Sequence, residues 1–310
     1  RGAAATSRSL GLVSRRAALL AALAAVLLGV PSPAAAQTNR PELKELIFTG
    51  NVAFSDDSLR TAIRNRSSEC RFWFVKPFCL AGAETFLDRQ YLVPRQIELD
   101  ALRLEQFYDL RGYSEAEVDT ALVSLEEGVR LEFSITEGLP VRIDSLEFVG
   151  LEEIPTDRRG RLLADLPIRV GDPANALALD RSRDLIISRL KNVGYAHAEV
   201  LINRFTPADT RSARVEFLFD TGPEVRIGEI TVEGNRYLDQ QSVRRMVPFE
   251  QGDIYRLREL QEGQRNLYGL ELVQVARVDQ LGAFPDTVMP VNIDIQEGDL
   301  VLTSGLGQTL

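Results

Sequence analysis

Several residue types that build reactive sites are scarce in this chain of 310 residues. It contains one histidine, one tryptophan, two methionines and two cysteines. A Ser-His-Asp arrangement would have to use His197, which stands at the start of an alternating segment and which we interpret as an exposed strand residue. No G-x-G-x-x-G or Walker-type loop is present. The sequence therefore predicts no catalytic residue, no metal site, no cofactor and no enzymatic activity.

Positive charge is also in short supply. The chain has 36 basic and 45 acidic residues, which gives a net charge of −9. Residues 1–36 hold four arginines and no acidic residue, so the remainder carries −13. Such a chain gains nothing from phosphate-backbone electrostatics, which excludes a general nucleic-acid binder. An acidic surface suits a protein that stays soluble beside a membrane.

Only one long apolar run occurs, over residues 17–30, and its 14 residues are too few to span a bilayer comfortably. Arginines precede the run and three alanines follow it, which is the pattern of a secretory signal peptide. We predict a signal peptide over 1–36, cleaved between Ala36 and Gln37. The alternative is an N-terminal membrane anchor.

The two cysteines, Cys70 and Cys79, lie close together in sequence. In an exported protein a close pair predicts a disulfide. The segment between them is rich in aromatic residues. These rings either cover the core of the first domain or form an exposed contact patch for a partner or for lipid.

An internal pattern recurs three times. Alternating segments that end near glycine open the copies at 42–51, 141–150 and 225–235, and similar segments close them at 129–140, 213–224 and 290–300. Alternation with one apolar face predicts half-covered strands. It is imperfect in the first copy, where Leu43 and Ile47 are set against Lys44 and Glu45. Since the closing turn of one copy leads straight into the next, we expect successive domains to hold a restricted orientation.

Between these strands the apolar residues recur at helical spacing. In the first copy Ile97, Ala101, Leu104 and Tyr108 fall on one helical face. The helices end near Gly112, Gly194 and Gly269, which fit C-caps that need positive φ. Each copy therefore predicts two helices, and Asp239 is the expected N-cap of the first helix in the third copy.

A further alternating segment follows each helix end, at 115–125, 197–205 and 271–279. The residues that lead these patterns are Val118, Ala121, Val200, Ile202, Val273 and Val275. The unit is therefore strand–helix–helix–strand–strand, which is an α+β domain. If the first strand pairs with the third, the second is left as an open edge that invites a strand from another chain.

Short motifs recur at equivalent places in this unit. They are Gly112-Tyr113 and Gly194-Tyr195, Glu137-Gly138 and Glu297-Gly298, and Gly171-Asp172 and Gly252-Asp253. Gly269-Leu270 and Thr221-Gly222 depart from the pattern. This order resembles the POTRA domain, and three copies behind a signal peptide resemble the BamA/TamA family of outer-membrane assembly proteins.

The resemblance covers about residues 41–299 and implies domains at 41–140, 141–223 and 224–299. Each would be a three-stranded sheet covered by two helices. Family members continue into an outer-membrane β-barrel, and residues 300–310 look like the entry to its first strand. The implied location is the outer membrane, with these residues in the periplasm.

The resemblance also implies a function. Such repeats bind unfolded outer-membrane proteins, together with possible accessory subunits or lipoproteins, and deliver the clients to the barrel. Two alternatives stay open: a two-partner-type secretion transporter, and a periplasmic interaction scaffold without a barrel.

Overall fold

A computed structural model describes residues 40–71, 86–207, 210–282 and 286–298. The predicted signal peptide, Cys79, most of the aromatic segment and the predicted barrel entry at 300–310 lie outside these residues. Cys70 lies in a short strand, and its disulfide with Cys79 stays a prediction. In the part of the chain that is described, no helix is long and apolar enough to span a membrane.

Three repeats share the order strand–helix–helix–strand–strand, and the first has two additional short strands between its helices. The first contains β1 (Leu43–Thr49), α1 (Asp56–Ala62), β2 (Glu69–Cys70), β3 (Leu87–Asp88), α2 (Pro94–Asp109), β4 (Glu117–Ser124) and β5 (Val129–Thr136). The second contains β6 (Arg142–Val149), α3 (Thr156–Leu162), α4 (Ala176–Lys191), β7 (Glu199–Phe205) and β8 (Ser212–Asp220). The third contains β9 (Arg226–Glu233), α5 (Gln240–Met246), α6 (Leu257–Tyr268), β10 (Val273–Gln280) and β11 (Val288–Glu297). The predicted α+β repeat is confirmed.

Each repeat has a three-stranded sheet with its last strand in the centre. The strand orders are β1-β5-β4, β6-β8-β7 and β9-β11-β10. The first strand runs parallel to the last in every sheet. Parallel neighbours need a crossover connection, and the two helices supply it. The second strand of each repeat therefore lies at an edge of its sheet.

The first strand of every repeat carries a β-bulge near its start. The register shifts at Leu43/Glu45 in β1, at Ile143/Ser145 in β6, and opposite Met289/Val291 in β9. A bulge inserts one residue and so changes which side chains face the core. In β1 the buried residues are Leu43, Leu46 and Phe48. The extra residue explains the imperfect alternation in the sequence, and Ile47 is not on the core face with Leu43.

A glycine after each first strand allows a close approach of two strands. A Cβ at Gly50, Gly150 or Gly234 would lie within 2.2 Å of the carbonyl oxygen of Ile135, Phe219 or Ile295, respectively. These carbonyls belong to the end of the central strand. The φ values of the three glycines are 80°, 96° and 77°. Only glycine meets both requirements without strain.

The Glu-Gly motif closes the first and third repeats through its carboxylate. Glu137 accepts hydrogen bonds from the Ala53 N–H at 2.9 Å and from the Tyr108 hydroxyl at 2.9 Å. Burial, with the Glu137 hydrogen bond, raises the pKa of Tyr108. Glu297 takes the equivalent place in the third repeat. In the second repeat, where the motif is Thr221-Gly222, no such carboxylate exists.

The Gly-Asp motif pairs with the opposite edge of the first strand. In the second repeat the Ile143 N–H donates to the Asp172 carbonyl at 2.9 Å, and the Gly171 N–H donates to the Ile143 carbonyl at 2.8 Å. Asp253, Gly252 and Ile227 repeat both bonds in the third repeat at 2.8 Å. The motif therefore covers part of one sheet edge.

The helices bury the faces that the sequence predicted. Ala101, Leu104 and Tyr108 are buried on α2. Helix α4 contacts β7, and α6 contacts β10. The Asn175 and Asp239 side chains accept N–H groups at the starts of α4 and α5, so the predicted N-cap at Asp239 is confirmed.

The prediction that Gly269 ends its helix with a positive φ is wrong. Its φ is −73°, whereas Gly112 and Gly194 have φ of 93° and 110°. Gly269 continues the right-handed turn of α6, and its N–H donates to the Arg265 and Asn266 carbonyls. In the third copy, where Gly269-Leu270 replaces the Gly-Tyr motif, the backbone thus has a different conformation at the glycine.

The boundaries of the compact units do not coincide with those of the three repeats. Among the described residues, one compact unit contains those within 40–49, 63–100 and 120–134. The other contains those within 50–62, 101–119 and 135–298. In the first unit, buried Asp100 accepts the backbone N–H groups of Arg64 and Asn65 at 2.9 Å.

We expect Glu297→Gln to loosen the loop after β9. Glu297 accepts the N–H groups of Tyr237 and Leu238 at 2.6 and 3.0 Å. Although burial opposes ionisation, these bonds hold the pKa of Glu297 below its ordinary value of 4.5. A carboxyl with a lowered folded-state pKa stabilises above about pH 4.5 and loses this contribution as the pH falls through the folded value. Hydrogen exchange should show the Tyr237 and Leu238 amides opening more easily, by about 1 kcal/mol at neutral pH.

The exposed Glu229 provides the control for this substitution. Glu229→Gln should leave both amides unchanged. The difference between wild type and Glu297→Gln should shrink as the solution becomes acidic. Equal protection of both amides in the two proteins at pH 7 would contradict the proposed clamp.

Candidate functional site

The second strands β4, β7 and β10 form the candidate site because each lies at a sheet edge. In the described part of the chain, each pairs with only one strand, namely β5, β8 or β11. An edge strand presents backbone N–H and C=O groups that another strand can use. The three edges differ in what covers them.

The edge of β7 is the most open of the three. Among the described residues, no side chain is hydrogen-bonded to the backbone of this strand. Val200 is 4% exposed and lies in the core of the second repeat, and Ile202 packs against that core. Leu201 and Phe205 are 67% and 65% exposed. The strand thus combines an anchored face with an outer face that carries large apolar side chains.

The edge of β4 is exposed on both faces. Val118 is half-buried and Ala121 is exposed, and so are Leu122 and Val123 at 49% and 38%. Glu105 on α2 accepts the Val118 N–H at 3.4 Å. A helix side chain therefore already occupies one donor of this strand.

The edge of β10 contains a bulge. The register shifts between Val273 and Val275, so that Ala276 rather than Val275 continues the buried face from Val273. Gln264 on α6 donates to the Ala276 carbonyl at 3.0 Å. Both the bulge and this bond interrupt the row of free backbone groups.

Sequence reasoning identified these strands but missed part of what distinguishes them. It selected Val200 and Ile202, which face the core, and did not select Leu201 and Phe205, which stand between and beyond them. The alternation along the strand already indicated that Leu201 and Phe205 face away from the side of Val200 and Ile202. The partners Glu105 and Gln264 gave no sequence signal, because each lies in a helix and reaches its strand only in the folded repeat.

A backbone joint links the first repeat to the second. The Val141 N–H donates to the Gly112 carbonyl at 2.8 Å, and the Ala174 N–H donates to the Val141 carbonyl at 2.8 Å. A Cβ on Gly112 would lie 2.9 Å from the Ala174 nitrogen. The neighbouring Tyr113 packs against Phe54. Glycine is therefore required here by the joint as well as by the turn.

The same joint recurs between the second and third repeats. The Val225 N–H donates to the Gly194 carbonyl at 2.8 Å, and the Tyr255 N–H donates to the Val225 carbonyl at 2.9 Å. A Cβ on Gly194 would lie 2.8 Å from the Glu224 Cγ. Ala196, two residues later, belongs to the apolar core of the third repeat. Both joints lie within one compact unit, and the predicted restriction of orientation stays a prediction.

His197 lies at the second joint. Its Nε2 is 3.2 Å from the Asp286 carbonyl oxygen. No cluster of metal-ligating side chains occurs among the described residues.

The family comparison extends over most of the chain. The model of the POTRA family, described as a surface antigen variable number repeat, matches residues 41–138, 141–222 and 225–298. No curated protein sequence matches the chain significantly.

One solved structure agrees with this family at the level of the fold. The crystal structure of POTRA3-5 of BamA from Haemophilus influenzae is 16% identical, with a TM-score of 0.51, and the match covers 83% of this chain and 96% of that one. The N-terminal domain of Omp85 from Thermosynechococcus elongatus is 15% identical, with a TM-score of 0.32, over 84% of this chain and 100% of that one.

The recurring Gly-Tyr, Glu-Gly and Gly-Asp motifs thus have structural roles in a repeat that is a non-enzymatic scaffold domain. The family match covers all three repeats. The chain therefore belongs to the POTRA family, whose model matches it in three successive repeats.

Proposed function

We propose that this chain is the periplasmic receiving region of an outer-membrane protein assembly factor. It binds unfolded β-barrel clients by strand addition to the edges of its sheets. The family membership supports a role in outer-membrane protein assembly or secretion. The observation that carries the proposal is the edge position of the second strand in all three repeats.

Strand addition suits a receptor for many clients. It reads the backbone, which all clients share, more than the side chains. Unfolded barrel proteins have alternating β sequences as their common feature. An edge strand with exposed apolar residues can pair with such a segment and cover its apolar side chains.

Within this proposal β7 is the main receiving edge. Glu105 occupies a donor of β4, and Gln264 occupies an acceptor of β10. Strand addition there would require either side chain to give up its bond. The β7 backbone needs no such displacement, and Leu201 and Phe205 offer apolar contacts beside it.

The remaining parts of the proposal concern location and organisation. The chain is exported by the signal peptide over 1–36, and its domains extend over 41–140, 141–223 and 224–299. The Cys70–Cys79 disulfide closes a short loop in the first repeat. The repeats lie in the periplasm beside an outer-membrane barrel that begins near residue 300, and accessory subunits or lipoproteins are further partners.

Proline at Val200 and, separately, at Leu201 should show whether β7 receives clients. In an antiparallel strand successive N–H groups point to opposite sides. One variant therefore removes a donor on the open edge, and the other breaks the bond to β8. The variant that stays folded should bind a labelled unfolded strand peptide about fivefold to tenfold more weakly, because an edge hydrogen bond is lost and the ring obstructs pairing. Circular dichroism identifies the folded variant, and fluorescence anisotropy measures binding.

Val275→Pro in β10 is the matched control, since that strand is already interrupted. It should change peptide affinity less than the folded β7 variant. Wild-type affinity in a folded variant that has lost the open-edge donor would contradict strand addition at β7.

Cell fractionation tests the wider assembly role. The full gene product should be recovered with the outer membrane, and its depletion should lower the amount of folded barrel proteins there. Recovery in the soluble periplasmic fraction, with unchanged barrel proteins after depletion, would leave only a free interaction scaffold.

A further inference from the structure

An arginine-rich cleft lies at the joint between the second and third repeats. Its volume is about 480 Å³. Its arginines come from α3, from the last turn of α4 and from the start of α6. They are Arg158, Arg161, Arg189, Arg256 and Arg258. This concentration of positive charge is unexpected in a chain with a net charge of −9.

Carboxylates neutralise only part of this charge. Three of the arginines form ion pairs: Arg158 with Glu224 at 3.8 Å, Arg161 with Asp157 at 3.0 Å, and Arg256 with Glu259 at 2.8 Å. Among the described residues, no carboxylate pairs with Arg189 or Arg258. The five guanidinium groups and their three carboxylate partners therefore leave a net charge of +2 at the cleft.

The cleft is held in place by its own hydrogen bonds. The Arg189 Nη1 donates to the Leu162 and Ala164 carbonyls at 2.8 and 2.6 Å, which fixes this side chain against the end of α3. A guanidinium has five N–H donors, so others remain for a ligand. The Arg258 N–H donates to the Asn192 Oδ1 at 2.8 Å and ties the start of α6 to the end of α4.

The first joint shows that the backbone arrangement does not require these arginines. The repeats align at the starts of α1 and α3, at the two Gly-Tyr motifs, and at the bridges of Pro173 and Ile254 to the first strands. The residues equivalent to the five arginines are Ser58, Thr61, Phe107, Asn175 and Leu177. A separate cavity of about 160 Å³ at the first joint is lined by none of these equivalent residues. The arginine cluster is therefore a feature of the second joint alone among these two.

We propose that this arginine cleft binds a phosphate-bearing anion that bridges the second and third repeats. Guanidinium groups match phosphate oxygens with paired hydrogen bonds. A phosphate group presents several acceptor oxygens and its negative charge around one phosphorus atom, so it can bind several converging arginines at once. An acidic peptide spreads one charge per side chain along an extended backbone, which fits a cleft of this size less well. The phosphate belongs either to a free anion or to a lipid headgroup.

Calorimetric titration of the purified chain with inorganic phosphate and with pyrophosphate tests the site. Pyrophosphate should bind saturably at one site, more tightly than phosphate. Arg258→Gln should weaken binding at least about tenfold, since it removes a charged donor with no carboxylate partner. The affinity of Arg258→Lys should lie between those of the wild type and Arg258→Gln, because lysine keeps the charge and loses the forked geometry.

Arg204→Gln is the control, because Arg204 lines a separate cavity at the first joint and the substitution removes the same charge. It should leave the affinity within about twofold. Thermal unfolding of each variant checks that the fold is kept. Sedimentation with phosphatidylcholine vesicles, with and without phosphatidylglycerol, separates the two sources. Arg258-dependent binding to the anionic vesicles assigns the site to a lipid headgroup, and pyrophosphate binding alone assigns it to a free anion.

Three results would overturn the proposal. The first is the absence of saturable binding of either phosphate compound. The second is an equal loss of affinity in Arg204→Gln and Arg258→Gln, which would indicate unspecific charge attraction. The third is binding of a polyglutamate peptide by a chain that binds neither phosphate compound.

Discussion

The last strand of each repeat is hydrogen-bonded between the first and second strands, and this pairing determines the rest of the sheet. Because the first and last strands run parallel, the two helices must cross over the sheet between them. The second strand then has a partner on one side only. The glycine after the first strand belongs to the same arrangement, since the carbonyl of the central strand occupies the space that a Cβ would need. The candidate binding edge is thus a consequence of the topology.

At the joints, backbone hydrogen bonds also connect one repeat to the next. Gly112 and Gly194 accept hydrogen bonds from Val141 and Val225, the residues just before the following first strand. A segment that reads as the end of one domain is therefore also part of the next. The compact units reflect this sharing, because Ala101–Asp119 group with the chain after Ile135 rather than with β1. Side chains at a joint of this kind can acquire a separate role, such as the one that we propose for the arginines of the second joint.

The sequence predicted the main elements because they depend on local patterns. Alternation located the strands, helical spacing located α2, α4 and α6, and Asp239 marked a helix start that the structure confirms. These predictions failed where contacts with residues distant in sequence altered the local backbone. The bulges in β1 and β10 shift which residues face the core, as at Ile47 and Val275. Gly269 lacks the positive φ expected of its position, since the backbone after α6 follows a different course.

By itself the sequence determined the repeat, the order of its elements, and the family to which it belongs. Only the tertiary structure decided how open each edge is, because Glu105 and Gln264 reach their strands from helices. It also decided where the arginines meet. Arg158, Arg189 and Arg258 stand far apart along the chain and come together through the packing of helices from two repeats. Local patterns record the environment of neighbours in sequence, whereas a site built at a joint depends on neighbours in space.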